Sequence, residues 1–197
     1  AMNRFYVLIY TIVKPFVRLL FPFRVRGLER LPTGGADLCA NHVSAADPVL
    51  IAVALTKDAG LRFMAKKELF GNRLVGWFLR KCGAFPVNRG ENDMSAIKTA
   101  LKCLQSGEKL MIFPEGTRVD HEGDTEAKGG AIMLSTRTGV PLVPVYCGEK
   151  KKFLRRSTIV FGEPYIPAIA GRRATAEENH RLAEELLEKI YALRETA

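Results

Sequence analysis

The chain has 197 residues, enough for one domain whose core needs no disulfide or metal staples. Apolar residues make up 47% and charged residues 26%, an ordinary globular composition that excludes a disordered or fibrous chain. Thirty Lys and Arg against 21 Asp and Glu leave a net charge of +9, which favours an anionic partner: nucleic acid, acidic lipid or a phosphorylated substrate.

The first stretch, NRFYVLIYTIVKPFVRLLFPF over 3–23, is strongly apolar but interrupted by Lys14, Pro15 and Arg18. A membrane-crossing helix needs about 20 predominantly apolar residues, and the uncharged runs here are well short of that. At the helical repeat Arg4, Thr11, Lys14 and Arg18 fall in one stripe about 80° wide, with Phe, Tyr, Leu, Ile and Val over the rest. Residues 2–23 are therefore expected to form a helical segment lying in a membrane interface, apolar side down and basic stripe near lipid phosphates. A core helix of a soluble protein is the competing reading. Pro15 should kink the segment or divide it into two short helices. No small-residue cleavage site follows it, so a cleaved signal peptide is not expected.

Residues 24–197 read as a single domain of alternating strand-like and helix-like stretches. ADLCAN (36–41) is a short apolar strand, followed by a turn and a helix from near Ser44 or Pro48 to about Lys57. LRFMAK (61–66) reads as a strand, 68–82 as an apolar-faced helix and AFPVN (84–88) as another strand. In 92–106 the spacing of Met94, Ile97, Leu101 and Leu104 predicts a helix with Gly107 as its stop. KLMIF (109–113) is a buried-strand pattern, 129–139 a short helix, and 141–147 and 157–162 strands. A final amphipathic helix runs from about Thr175 to Arg194, with Leu182, Leu186, Ile190 and Leu193 on one side. The alternation predicts a layered α/β domain with a mostly parallel or mixed central sheet flanked by helices. In such a domain the loops leaving strand C-termini tend to carry the site. The most polar loops, 41–48 and 114–128, both follow expected strands.

Four stretches carry possible chemistry. In NHVSAADP (41–48) a neutral His42 can take a proton from a hydroxyl, and a carboxylate on its other ring nitrogen would fix the tautomer. Five residues of straight helix would hold His42 and Asp47 about 140° apart, so a turn must bring them together. Ser44 can cap the following helix, and Pro48 suits its first turn. An Asx or Ser turn with an incidental histidine fits the same residues. In FPEGTR (113–118), Gly116 allows close backbone approach, Thr117 and local amides can donate to phosphate oxygens, and Arg118 offers a planar fork of donors. Glu115 can accept from a polyol hydroxyl or hold an arginine. A strand-ending turn with a surface ion pair fits equally. GAFPVNR (83–89) ends in Arg89, a second possible anion contact, and VPLVPV (140–145) can only shape an apolar wall. Cys39, Cys82, Cys103 and Cys147 are scattered, with no CxxC and no zinc-ligand spacing, so reduced thiols and no metal are expected.

Taken in this order, NHVSAADP, GAFPVNR, FPEGTR and VPLVPV resemble the four blocks of the glycerolipid acyltransferase family, with KGGA (128–131) similar to the basic-Gly stretch after the third. The branch it is most similar to is the bacterial 1-acyl-sn-glycerol-3-phosphate acyltransferases. The resemblance covers roughly residues 24–165. The second block departs from the family, with Asn88 where an acidic residue often precedes the arginine. The resemblance implies that His42 is the general base on the free hydroxyl of a lysophosphatidic acid, oriented by Asp47. The resulting alkoxide attacks the thioester of acyl-CoA or acyl-carrier protein directly. Arg89, Glu115, Gly116, Thr117 and Arg118 would hold the glycerol phosphate, and Pro144 would line the acyl side. No cofactor is implied beyond the acyl donor as co-substrate. The implied partners are that donor, a lysophospholipid and an anionic membrane surface, at the cytoplasmic face of the cell membrane. Alternatives are the same chemistry on glycerol 3-phosphate, another lysophospholipid or a lipid amine, or a non-catalytic basic membrane-binding module. Nucleic acid is not expected, because aromatics are not interleaved with the basic residues.

Overall fold

A computed structural model describes residues 4–57, 59–88, 93–148, 154–171 and 173–197. Helix α1 (Arg4–Leu20) leads into strand β1 (Phe23–Arg26), and β2 (Ala36–Ala40) follows. Three strand–helix repeats come next: α2 (Asp47–Ala54), β3 (Leu61–Lys66), α3 (Arg73–Lys81), β4 (Ala84–Val87), α4 (Met94–Gln105) and β5 (Lys109–Ile112). The chain closes with α5 (Gly130–Thr138), β6 (Leu142–Cys147), β7 (Ser157–Phe161) and α6 (Ala176–Ala192). Among the described residues the strands form one sheet in the order β1-β7-β6-β2-β5-β3-β4. β6, β2, β5, β3 and β4 are mutually parallel; β7 runs antiparallel to β6, and β1 parallel to β7. The expected layered α/β architecture is therefore present, and its sheet is mixed.

Burial follows from this placement. β2, between β6 and β5, is buried at every residue, and its side chains alternate between two cores. Leu38 and Ala40 join α2, while Cys39 joins α5 and α6 on the other face. Val17 and Phe21 pack on the α2 side, so α1 lies on that face. Right-handed crossovers that continue in one direction along the sheet put α3 there as well. Caps define the helix ends. Asp93 accepts from the Ser95 and Ala96 amides at the start of α4, and Gly139 closes α5 with φ 70°. Thr175 and Glu178 form a capping box on α6.

Four expectations change. β1 was unforeseen: FRVR is too short to read as a strand, and pairing with β7 makes it one. The expected helix 68–82 divides at Gly71-Asn72 into a 3₁₀ turn (Lys67–Phe70) and α3, because the Asn72 side chain caps α3 by accepting from the Leu74 and Val75 amides. α2 stops at Ala54 rather than Lys57. α1 runs unbroken through Pro15. A missing N–H removes one backbone bond, whereas tertiary contacts hold both sides: the Tyr10 hydroxyl donates to the Leu55 carbonyl at 2.7 Å, and Val17 packs on the core. No described helix is long and apolar enough to cross a membrane.

Candidate active site

The parallel strands β6, β2, β5, β3 and β4 all end at one edge of the sheet. At its centre β2 delivers Asn41 and His42. Asn41 is locked first: its amide donates to the Cys147 carbonyl at 3.0 Å, and its oxygen accepts from the Cys147 amide at 2.7 Å, tying the end of β2 to the end of β6. His42 leaves the strand directly into a turn. Asp47, fully buried at the first turn of α2, reaches back across that turn. Its Oδ2 lies 3.2 Å from His42 Nδ1 and accepts from the Val43 and Ser44 amides at 2.8 and 2.7 Å. Asp47 therefore ties the loop to the helix start. Ser44 does not cap α2; its hydroxyl accepts instead from the Ala46 amide at 3.2 Å.

The FPEGTR turn holds His42 by its backbone. Glu115 Oε2 accepts from the His42 N–H at 2.7 Å, and the Val119 N–H donates to the His42 carbonyl at 2.9 Å. Phe113 stacks on the imidazole with ring centroids 4.1 Å apart and planes 23° from parallel. The other oxygen of Glu115 accepts from the Tyr191 hydroxyl of α6 at 2.5 Å. Glu115 is only 3% exposed, and both of its oxygens are held by the protein. Burial raises its carboxyl above the usual glutamate range, and the bonds from Tyr191 and His42 draw it back down. Burial, then the neighbouring Glu115, pushes the Tyr191 hydroxyl far up, so it remains a donor.

The remaining residues singled out in the sequence are placed as follows. Gly116 turns the chain with φ 70°, and Lys128 lies over it: a Cβ at Gly116 would stand 3.4 Å from Lys128 Cγ. Thr117 and Arg118 are exposed beside this turn. Pro144 is buried in β6 against Cys39 of β2, inside the sheet. Arg89 lies outside the described residues. Cys39 is fully buried, and burial followed by Asp37 drives its thiol well up, so it is protonated. A cleft of about 930 Å³ opens beside the loop, with Asn41, Val43, Tyr146, Arg155, Arg156 and Arg194 among its walls. Asn41, Phe113, Val119 and Tyr191 also shape the site, beyond the residues the motifs single out. Asn41 and Phe113 lie within the motifs and Val119 directly follows one, so all three were within reach. Tyr191 was not, since it reads as one more apolar position on an amphipathic helix.

A histidine–carboxylate pair on a strand-to-helix turn, held from behind by a second polar turn, is an arrangement with the chemistry to move a proton. Residues 22–148 match the acyltransferase family, and the chain belongs to that family. It is 34% identical over 176 residues to the 1-acyl-sn-glycerol-3-phosphate acyltransferase of Bacillus subtilis, covering 86% of this chain and 87% of that protein. It is 44% identical over 109 residues to the enzyme of the same name from Streptococcus pneumoniae, covering 55% of this chain and 39% of that one. Its fold matches the crystal structure of the 1-acyl-sn-glycerophosphate acyltransferase PlsC from Thermotoga maritima with a TM-score of 0.69 at 23% identity, over 98% of this chain and 79% of that one.

Proposed function

We propose that this enzyme moves a fatty acyl group from acyl-CoA or acyl-carrier protein to the free hydroxyl of 1-acyl-sn-glycerol 3-phosphate, giving phosphatidic acid. The observation that carries the reading is the His42–Asp47 contact through Nδ1, which leaves Nε2 for the reacting hydroxyl. His42 Nε2 takes the hydroxyl proton as the alkoxide oxygen attacks the thioester carbonyl. The tetrahedral adduct then expels the thiolate, which takes its proton from the imidazolium. Asp47 holds the tautomer and offsets the imidazolium charge. Arg118 and Thr117, exposed at the Gly116 turn, bind the acceptor phosphate, with Lys128 overhead. Arg155 and Arg156 in the adjoining cleft suit the phosphate groups that both donors carry. Glu115, buried and holding both the His42 amide and the Tyr191 hydroxyl, positions His42. The enzyme works at the cytoplasmic face of the membrane, held there peripherally.

The test supplies lysophosphatidic acid and oleoyl-CoA to the wild type and to His42→Ala and follows release of free CoA. Loss of the base should lower the rate ~10²–10⁴-fold. Equal rates would remove His42 from the mechanism. A panel of glycerol 3-phosphate, other lysophospholipids and a lipid amine, each with CoA and carrier-protein donors, ranks the acceptors and donors.

A further inference from the structure

α1 presents three faces. Tyr6, Tyr10, Val13 and Val17 turn toward the protein, and Arg4, Lys14 and Arg18 form the basic stripe. Between them Leu8, Ile12, Phe16 and Leu19, all within about 80° at the helical repeat, face outward without cover. α3 repeats the pattern: Leu74 is 78% exposed, Trp77 51%, and Val75 and Phe78 are also exposed. The two apolar faces meet, because Phe5 of α1 packs edge-on against Trp77 and Phe78, with ring centroids 5.2 and 6.3 Å apart. Leu69, on the turn before α3, adds to the same side of the chain and is half exposed. Monomeric proteins rarely leave so large a contiguous apolar area uncovered.

The charge around this area selects its occupant. Residues 4–20 carry three cations and no acid. Residues 66–81 carry Lys66, Lys67, Arg73, Arg80 and Lys81 against Glu68 alone, and Glu68 pairs with Lys66 at 3.2 Å. Arg80 lies over the Phe70 ring and Arg18 over Phe23, cations resting on aromatic rings at the border of the apolar area. An apolar surface rimmed by one sign of charge matches a bilayer with anionic headgroups. A second copy of the chain would bring like charges together.

The topology then sets where that bilayer lies. β1 runs opposite to β2, so α1 delivers its C-terminal end to the edge of the sheet where His42 sits, and α3 departs from that same edge after β3. We propose that the exposed faces of α1 and α3 form one docking surface for an anionic lipid bilayer, Trp77 included, which holds the edge bearing His42 against the membrane. The anchor is thus built from two helices distant in sequence. This rests on the reading that the acceptor is a lysophospholipid, which must be taken from a membrane.

Trp77 is the chain's one tryptophan and reports directly on contact with lipid. The full chain is mixed with phosphatidylcholine–phosphatidylglycerol vesicles, with and without brominated acyl chains, and the same samples are floated on a density gradient. Trp77 emission should shift to the blue and be quenched by the brominated chains. Flotation without quenching would show that α1 binds alone and would overturn the proposal. A stable dimer whose Trp77 emission is already blue-shifted and unaffected by vesicles would overturn it in favour of a second copy. Leu74→Glu, at an exposed position that leaves the core untouched, should lower partitioning about 10- to 100-fold. It should leave turnover of a dissolved short-chain acceptor unchanged. Partitioning equal to wild type would also overturn the proposal. The two readings fail separately: absent vesicle binding with intact acyl transfer removes the docking surface, whereas intact binding and quenching without transfer to any lipid removes the enzymatic reading.

Discussion

Tyr191→Phe removes one hydroxyl from α6 and leaves the ring in its buried place. The lost bond is the one to Glu115, whose other oxygen holds the His42 amide. A hydrogen bond to a charged group contributes ~1.5–3 kcal/mol, which for a domain of this size lowers Tm by about 3–12 °C. The loss should also depend on pH, with a sign set by burial. Burial already raises the Glu115 carboxyl, and the Tyr191 bond is the largest effect opposing that rise. A carboxyl raised in the folded state loses stability as pH climbs from its unfolded value, about 4.3, toward its folded one. Removing the hydroxyl raises the folded value further, so Tyr191→Phe should cost more at about pH 7.5 than at about pH 5, where Glu115 is more protonated. Tyr191 acts on His42 through Glu115, so kcat should fall about tenfold through misplacement of His42, with a smaller change in KM. Urea melts at both pH values, with kcat and KM measured alongside, check this. A loss below about 0.5 kcal/mol at both pH values would show that the hydroxyl does not hold the carboxylate, and the link from α6 to His42 would be wrong.

Further outcomes follow from other contacts. Arg118→Ala, at an exposed position beside the Gly116 turn, should raise KM for the phosphorylated acceptor about 10- to 100-fold with a smaller effect on kcat; an unchanged acceptor KM removes it from phosphate binding. Asp37 is fully buried in β2 with neither carboxylate oxygen hydrogen-bonded among the described residues, and burial pushes its carboxyl well up. The wild type should therefore lose stability as pH rises above the ordinary aspartate range, by up to about 1.4 kcal/mol per pH unit. Asp37→Asn should remove that slope, so its advantage over wild type grows from about pH 5 to pH 7 in urea melts. Parallel pH dependences in the two proteins would refute it.

Much of the fold was legible because its signals are local. Buried parallel strands such as ADLCA and KLMI read as apolar runs, and α4 and α6 show helical spacing with caps beside it. β1 was not legible, since four alternating residues become a strand only against β7. Nor was the break before α3, where the Asn72 cap competes with an apolar pattern that runs straight across it.

The site divides along the same line. The sequence by itself determined which residue types are present: a histidine and an aspartate in one loop, and a glycine, a glutamate and an arginine in another, each after a strand. Their chemistry is carried in the side chains and needs no fold to be read. Only the tertiary structure decided their partners. It turned Asp47 back onto His42, engaged both oxygens of Glu115 with His42 and Tyr191, buried Pro144 inside the sheet, and joined Phe5 to Trp77. Those pairings link positions up to 76 residues apart. They form because packing two helical layers onto a twisted sheet brings strand ends and distant helices together, and no local pattern encodes which of them will meet.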